Sequence, residues 1–149
     1  INQPKPIQKP YPPLWVCGGG EKVTLKLLAK YGDYGNWDVD VNGFVEKSNI
    51  LQSHCENVGR DFNEIGRTLH TNVLITQSKK DLDTKVERLA TYTNIPKDYY
   101  YDRPLIGTKE EVFATIEQYK EVGCEYLIAY IPDIVWGDTV NYLSELNHS

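Results

Sequence analysis

The chain has 149 residues, of which 40% are hydrophobic and 25% charged, a size and composition that suit one globular domain and exclude a disordered chain. No apolar run approaches the roughly 18 residues needed to cross a bilayer and no basic-then-apolar leader opens the sequence, so a cytoplasmic setting without membrane contact is expected. A net charge of −5, with acidic and basic residues interleaved, argues against a nucleic-acid surface, which needs clustered Lys and Arg, and points to small-molecule partners.

Cys17, Cys55 and Cys124 are odd in number and widely spaced, which fits neither a disulfide framework nor a metal cluster; three reduced thiols are expected. Methionine is absent and the chain opens Ile1-Asn2-Gln3-Pro4, so it reads as part of a longer translation product. Pro4, Pro6, Pro10, Pro12 and Pro13 predict an extended connection over residues 1–13.

The first strand is the apolar run Leu14-Trp15-Val16-Cys17, which stops at Gly18, Gly19 and Gly20 just before a helical pattern. Three residues without Cβ permit positive φ and close approach of a ligand to the main chain. The first amides of the next helix point outward and carry partial positive charge. An anion the size of phosphate suits that turn; a glycine-rich turn that binds nothing is the alternative.

Val23, Leu27 and Tyr31 then recur at steps of four, with Thr24 and Leu28 beside them, and predict the buried face of a helix ended by Gly32. The glycines of residues 31–37 predict a loop. A second helix from Gly43 places Phe44, Ser48, Leu51, Cys55 and Val58 on one stripe, with Gly59 as its C-cap. The β-branched run Leu69 to Thr76 predicts the second strand, and Leu82, Val86 and Leu89 mark a third helix. After a tyrosine-rich loop, Thr108 and Glu111 form the T-x-x-E capping arrangement of a fourth helix whose apolar face is Val112, Phe113, Ile116 and Tyr119. Glu125 to Ile131 predicts a third strand buried on both faces, and a last helix uses Val140, Leu143 and Leu146. Strands separated by helices predict an α/β fold with a parallel sheet and right-handed crossovers. Three strands would leave both edges open, which implies neighbouring strands from another chain or a section of a larger sheet or barrel.

Several ordered segments carry a resemblance to a known family. They are Pro12-Pro13-Leu14-Trp15-Val16-Cys17-Gly18-Gly19-Gly20-Glu21 and Ala29-Lys30-Tyr31-Gly32-Asp33-Tyr34-Gly35-Asn36-Trp37. His54-Cys55-Glu56-Asn57-Val58-Gly59-Arg60-Asp61, Ile106-Gly107-Thr108-Lys109-Glu110-Glu111-Val112 and Gly123-Cys124-Glu125-Tyr126-Leu127-Ile128 follow. Together they resemble the C-terminal portion of the luciferase-like monooxygenases and F420-dependent oxidoreductases, which are (β/α)8 TIM barrels. The resemblance implies that about three βα units are present, corresponding to the sixth to eighth barrel strands. It further implies coenzyme F420, or alternatively FMN, at the C-terminal mouth, with its ring held mostly by strands outside this chain. Its phosphate would lie on the backbone of Gly18, Gly19, Gly20 and Glu21. The activity implied is hydride transfer with F420, or oxygen activation by reduced flavin in the monooxygenase branch. Catalytic residues are expected on the strands that this chain lacks, and the isolated segment is expected to be inactive.

Four further residues are candidates for the substrate pocket: Asn36 and Trp37 in the loop after the phosphate helix, Arg103 beside Tyr99-Tyr100-Tyr101, and Asp133 after the third strand. Trp37 is equally suited to packing, Arg103 to a surface pair with Asp98 or Asp102, and Asp133 to capping the last helix. His70 is placed at the bottom of the barrel in a structural role, His148 in a terminal tail, and His54 beside Cys55 on diverging helical positions that do not form a dyad. The partners expected are a small-molecule substrate, the remaining N-terminal part of the barrel and a second copy of the chain through the strand edges. A noncatalytic half-barrel binding module is the reading from another class.

Overall fold

The computed structural model of the chain describes residues 4–146, so His148 lies outside the described residues. Residues 4–13 contain no helix or strand, in keeping with five prolines that fix φ and remove amide donors. The order that follows is β1 (Trp15–Cys17), α1 (Thr24–Tyr31), β2 (Tyr34–Trp37), α2 (Val41–Val58) and a 3-10 turn (Phe62–Glu64). Next come β3 (Gly66–Thr76), α3 (Lys79–Thr93), α4 (Lys97–Tyr101), β4 (Leu105–Thr108), α5 (Lys109–Glu121), β5 (Tyr126–Tyr130) and α6 (Thr139–Glu145).

Every strand pair is parallel. β1 pairs with β2, β2 with β3, and β3 with β5, a four-strand ladder in chain order; β4 joins only the C-terminal part of β3, over Val73–Thr76. Thr68 and Leu69 have partners on both sides, in β2 and in β5. The ladder thus holds one more consecutive strand than expected, because β2 occupies part of the predicted loop. Tyr-Gly-Asn-Trp reads as loop by its glycine, yet Gly35 is there for packing. A Cβ at Gly35 would stand 2.6 Å from Leu28 Cδ2 and 3.2 Å from the Trp37 ring.

The register divides the sheet into two faces. Val16, Trp37, Leu69, Val73 and Ile75, with Leu127 and Ala129, pack against α1, α2, α5 and α6 in the main core. On the other face stand Trp15, Cys17, Tyr34, Asn36, Thr68, His70, Asn72, Tyr126, Ile128 and Tyr130. Helices reach this face only at its C-terminal end, where Leu74 packs with Leu82, Val86 and Leu89 of α3 and Tyr100 of α4. β5 is therefore buried on one face and not on both: Tyr126 is 53% and Tyr130 63% exposed. The buried face of α1 is Leu25, Leu28 and Ala29, whereas Val23, Leu27 and Tyr31 are exposed, because α1 turns its other apolar stripe to the sheet.

The helix ends follow the sequence. Asp40 accepts from the Gly43 amide to start α2, and Gly59 ends it at φ 70°. The Thr108–Glu111 capping box starts α5, with Glu111 accepting from the Thr108 amide at 3.0 Å and pairing with Lys79. Trp37, a pocket candidate by position, is 1% exposed and meets Phe44 edge-on at 5.1 Å between ring centroids. Its outward register puts it in the core and away from any pocket.

Trp37→Ala is expected to lower the unfolding free energy by about 3–5 kcal/mol in urea titration, and a loss below about 1 kcal/mol would return this residue to a surface role. Lys79, helped by the Thr108 amide, holds the Glu111 carboxyl below its ordinary range. A lowered folded value contributes stability above the unfolded value and loses it as pH falls through the folded one. Wild type is accordingly expected to lose more stability than Glu111→Gln between about pH 6 and about pH 3, measured by urea unfolding at each pH.

Candidate functional site

The C-terminal ends of the strands carry two features, a glycine turn after β1 and a cleft above β3 and β5. The turn is positioned by β2: the Gly18 amide donates to Asn36 O at 3.0 Å, and Gly18 itself takes φ 104°. Gly20 O accepts from the Leu25 amide at 3.0 Å, which carries the chain into α1. Among the described residues, the amides of Gly19, Gly20, Glu21, Lys22 and Val23 donate to no protein acceptor. A Cβ at Gly20 would stand 2.8 Å from Thr24 Oγ1, so a side chain there would have to displace the Thr24 hydroxyl.

Three side chains frame this turn. Lys47 of α2 pairs with Glu21 at 2.6 Å, and its stem crosses Gly19, where a Cβ would meet Lys47 Cε at 3.2 Å. His54 Nε2 donates to Glu21 O at 2.8 Å. His54 therefore serves the turn and not Cys55, which faces the core on the same helix. Burial raises the thiols of Cys55 and Cys124 above their ordinary value, which makes both poor nucleophiles at neutral pH. Lys47 and His54 escaped the sequence reading because single polar residues on a helix give no signal until β1 and β2 are known to pair.

Asn36 stands on the open face beside the turn. Its Nδ2 lies 3.8 Å from Cys17 Sγ, and its Oδ1 is 3.0 Å from the Thr68 hydroxyl, which also lies 2.9 Å from Gly35 O. Below this polar row, Trp15 stacks on Tyr34 at 4.4 Å and Tyr126 meets the Tyr34 ring at 5.9 Å. Above it, Asp38, His70, Asn72, Tyr99, Tyr130 and Pro132 line a cleft of about 300 Å3 between the sheet and the α3–α4 segment. His70 is exposed in the middle of the open face, paired in register with Ile128. Its expected place at the barrel bottom is corrected by the start of β3 at Gly66, three residues before the predicted start at Leu69.

Arg103 pairs with Asp38 at 2.6 Å and lies over the Tyr99 ring at 4.3 Å, so it ties the α4 segment to the end of β2 instead of pairing with Asp98 or Asp102. Asp133 is fully buried and neither lines the cleft nor caps α6, whose N-cap is Asp138. Its Oδ2 accepts from the Thr139 hydroxyl at 2.9 Å and lies 3.7 Å from Lys85 Nζ, while Thr139 Oγ1 accepts from the Ile75 amide at 2.9 Å. No group of three or more His, Cys, Asp or Glu suited to a metal ion occurs among the described residues, and no helix among them is long and apolar enough to cross a membrane.

No protein-family model matches the sequence, and no curated protein matches it. Solved structures do match the fold. An F420-dependent secondary alcohol dehydrogenase in complex with an F420–acetone adduct superposes at TM-score 0.65 and 18% identity, over 80% of this chain and 43% of that one. A riboflavin lyase with modified FMN and substrate riboflavin gives TM-score 0.70 at 13% identity over 93% and 43%. The coenzyme F420-dependent tetrahydromethanopterin reductase from Methanopyrus kandleri gives 0.58 at 12% over 87% and 48%. The chain therefore has the fold of part of a (β/α)8 barrel and spans less than half the length of each of these proteins.

In this partial barrel the loop after β5 is held by the chain from Asp133 through Thr139 to the Ile75 amide. Thr139→Val removes the hydroxyl and leaves a buried amide and a buried carboxylate oxygen short of a partner. It is expected to cost about 1–3 kcal/mol in urea unfolding, whereas Thr139→Ser is expected to keep most of that stability.

Proposed function

We propose that this chain is the C-terminal, phosphate-holding part of a luciferase-like flavin- or deazaflavin-dependent oxidoreductase, with coenzyme F420 as its redox cofactor and FMN as the alternative. The observation that carries the reading is the glycine turn at the C-terminal end of β1. There, among the described residues, five amides donate to no protein acceptor, and a side chain at Gly20 would collide with the Thr24 hydroxyl. Unpaired amides at a strand-to-helix turn are the general chemistry of phosphate binding. The residues present fit that group. The solved structures with this fold include proteins described with F420 and with FMN, which supports the class of cofactor.

When bound, a deazaflavin supplies reversible hydride transfer. The chain's own residues contribute position and enclosure. Amides 19–23 hold the phosphate, and His54 and Lys47 fix the turn that presents them. Asn36, Cys17 and Thr68 form a polar row on the same face of the sheet. His70, Asn72 and Tyr130 line the cleft into which a small-molecule substrate would enter, with Tyr99 hydrogen-bonded to Asn72 at 3.2 Å and Arg103 holding its cover in place. The free edges of β1 and β5 and the aromatic layer of Trp15, Tyr34 and Tyr126 suit the remaining barrel strands as partner, and a second copy of the whole protein beyond them. On this reading the segment alone does not turn over, and the whole protein works in the cytoplasm.

The test compares each cofactor with its phosphate-free form: FMN with riboflavin, and F420 with its deazaflavin riboside, titrated by fluorescence quenching. The phosphorylated form is expected to bind at least about tenfold more tightly, ~1.4 kcal/mol, and Gly20→Val to abolish that difference. Equal affinity for phosphorylated and phosphate-free forms in wild type would overturn the reading.

A further inference from the structure

We propose that the Lys47–Glu21 ion pair decides which phosphate the glycine turn accepts, favouring a singly charged phosphodiester over a doubly charged phosphomonoester. The inference rests on the turn being the phosphate seat. Lys47 packs its stem across Gly19, with its side chain only 16% exposed. Its charge is already matched, because Nζ lies 2.6 Å from Glu21 Oε1. The Glu21 backbone is fixed, since its carbonyl accepts from His54 at 2.8 Å, while its carboxylate is half exposed beside Lys47. Lys47 in turn keeps the Glu21 carboxyl below its ordinary range, so Glu21 is a carboxylate at neutral pH. Within residues 18–23 the remaining charged side chain is Lys22, which has no ion-pair partner among the described residues.

The amides of the turn are neutral donors and serve either kind of phosphate. Discrimination must come from formal charge. A phosphomonoester carries about −1.5 to −2 near pH 7, and a diester carries about −1. Five such amides and the net charge of +1 left by Lys22, Lys47 and Glu21 match a single negative charge. A second charge would face the Glu21 carboxylate, and the lysine that would neutralise it is occupied. F420 joins its riboside to the rest of the molecule through a phosphodiester, whereas FMN ends in a phosphomonoester. The ion pair therefore selects the first cofactor chemistry over the second at a place remote from the ring.

The experiment uses three ligands with one flavin ring: FMN, its methyl phosphodiester and riboflavin. Each is titrated into the full chain near pH 7.5 with flavin fluorescence quenching as the readout. Wild type is expected to bind the methyl ester about threefold more tightly than FMN, and both more tightly than riboflavin. Glu21→Gln frees Lys47 and is expected to reverse the order to about fivefold in favour of FMN, with an unchanged far-ultraviolet circular dichroism spectrum as the check on folding. Lys47→Gln leaves Glu21 uncompensated and is expected to weaken FMN more than its ester. A wild-type preference for FMN, or a preference that Glu21→Gln does not move, would overturn the inference and leave the phosphate seat intact. If neither ester binds more tightly than riboflavin, the seat itself is lost and the proposed function falls with it.

Discussion

The register of β3 is the constraint on which the rest of the molecule depends. This strand is eleven residues long, pairs with β2 and β5 along its first half and with β4 along its second, and turns alternate side chains to the two faces of the sheet. Leu69, Val73 and Ile75 enter the helix-covered core, while Thr68, His70 and Asn72 stand on the open face. A slip of one residue would exchange the two sets and bury a histidine and an asparagine without partners. Gly66 fixes the lower end: the Tyr34 ring lies so close that a Cβ there would stand 2.3 Å from it, so the strand starts where the aromatic layer permits. The upper end is fixed by the Thr139 hydroxyl on the Ile75 amide.

From β3 the geometry passes outward through β2 to the glycine turn. Asn36 contacts Thr68 on one side and accepts the Gly18 amide on the other, so the turn inherits its place from a strand two positions away in the ladder. The turn at Asp38-Val39-Asp40 then starts α2 through a capping carboxylate, an interaction that contributes about 1 kcal/mol. α2 runs back beside α1 far enough to bring Lys47 over Gly19 and His54 to Glu21. Two side chains that frame the candidate phosphate seat are thus delivered by the pairing of β1 with β2, a contact between segments about twenty residues apart.

What the sequence revealed and what it hid follow from the same physics. Helix faces with one apolar stripe were legible: Leu82, Val86 and Leu89 are buried as their spacing requires, and so are Phe44, Leu51 and Cys55. α1 has two apolar stripes, and periodicity alone cannot choose between Val23-Leu27-Tyr31 and Leu25-Leu28-Ala29. The thiols and the Thr108–Glu111 box were local features and read correctly. β2 was hidden because its glycine serves a packing contact instead of a turn, and β4 because Thr108 is at once the last residue of a strand and the cap of a helix. The glycine turn announced itself by composition. Asn36 stands on the open face and Trp37 in the core, a difference of one step of alternation that only the register reveals. Asp38 and the side-chain partners of Glu21 depend on contacts across 26 to 65 residues, which no local pattern encodes.

The open face of the sheet is uneven in a way that bears on the proposed division of labour. At its C-terminal end Leu74 is sealed beneath α3 and α4, and Arg103 clasps that cover to Asp38. At its N-terminal end Trp15, Tyr34 and Tyr126 form an aromatic layer without a helix over it, and Trp15 remains 43% exposed. Strands that complete a barrel would face the aromatic layer, because barrel interiors are filled by side chains stacked in layers. They would meet the α3–α4 segment only at the rim. On the proposed reading, this chain brings to the mouth a phosphate seat, a polar row and a cover already assembled on its own core. The completing strands need contribute only ring contacts and chemistry. Such a division lets the seat keep its charge selectivity whatever reaction is carried out across the cleft, since Lys47, Glu21 and His54 all take their positions from contacts within this half.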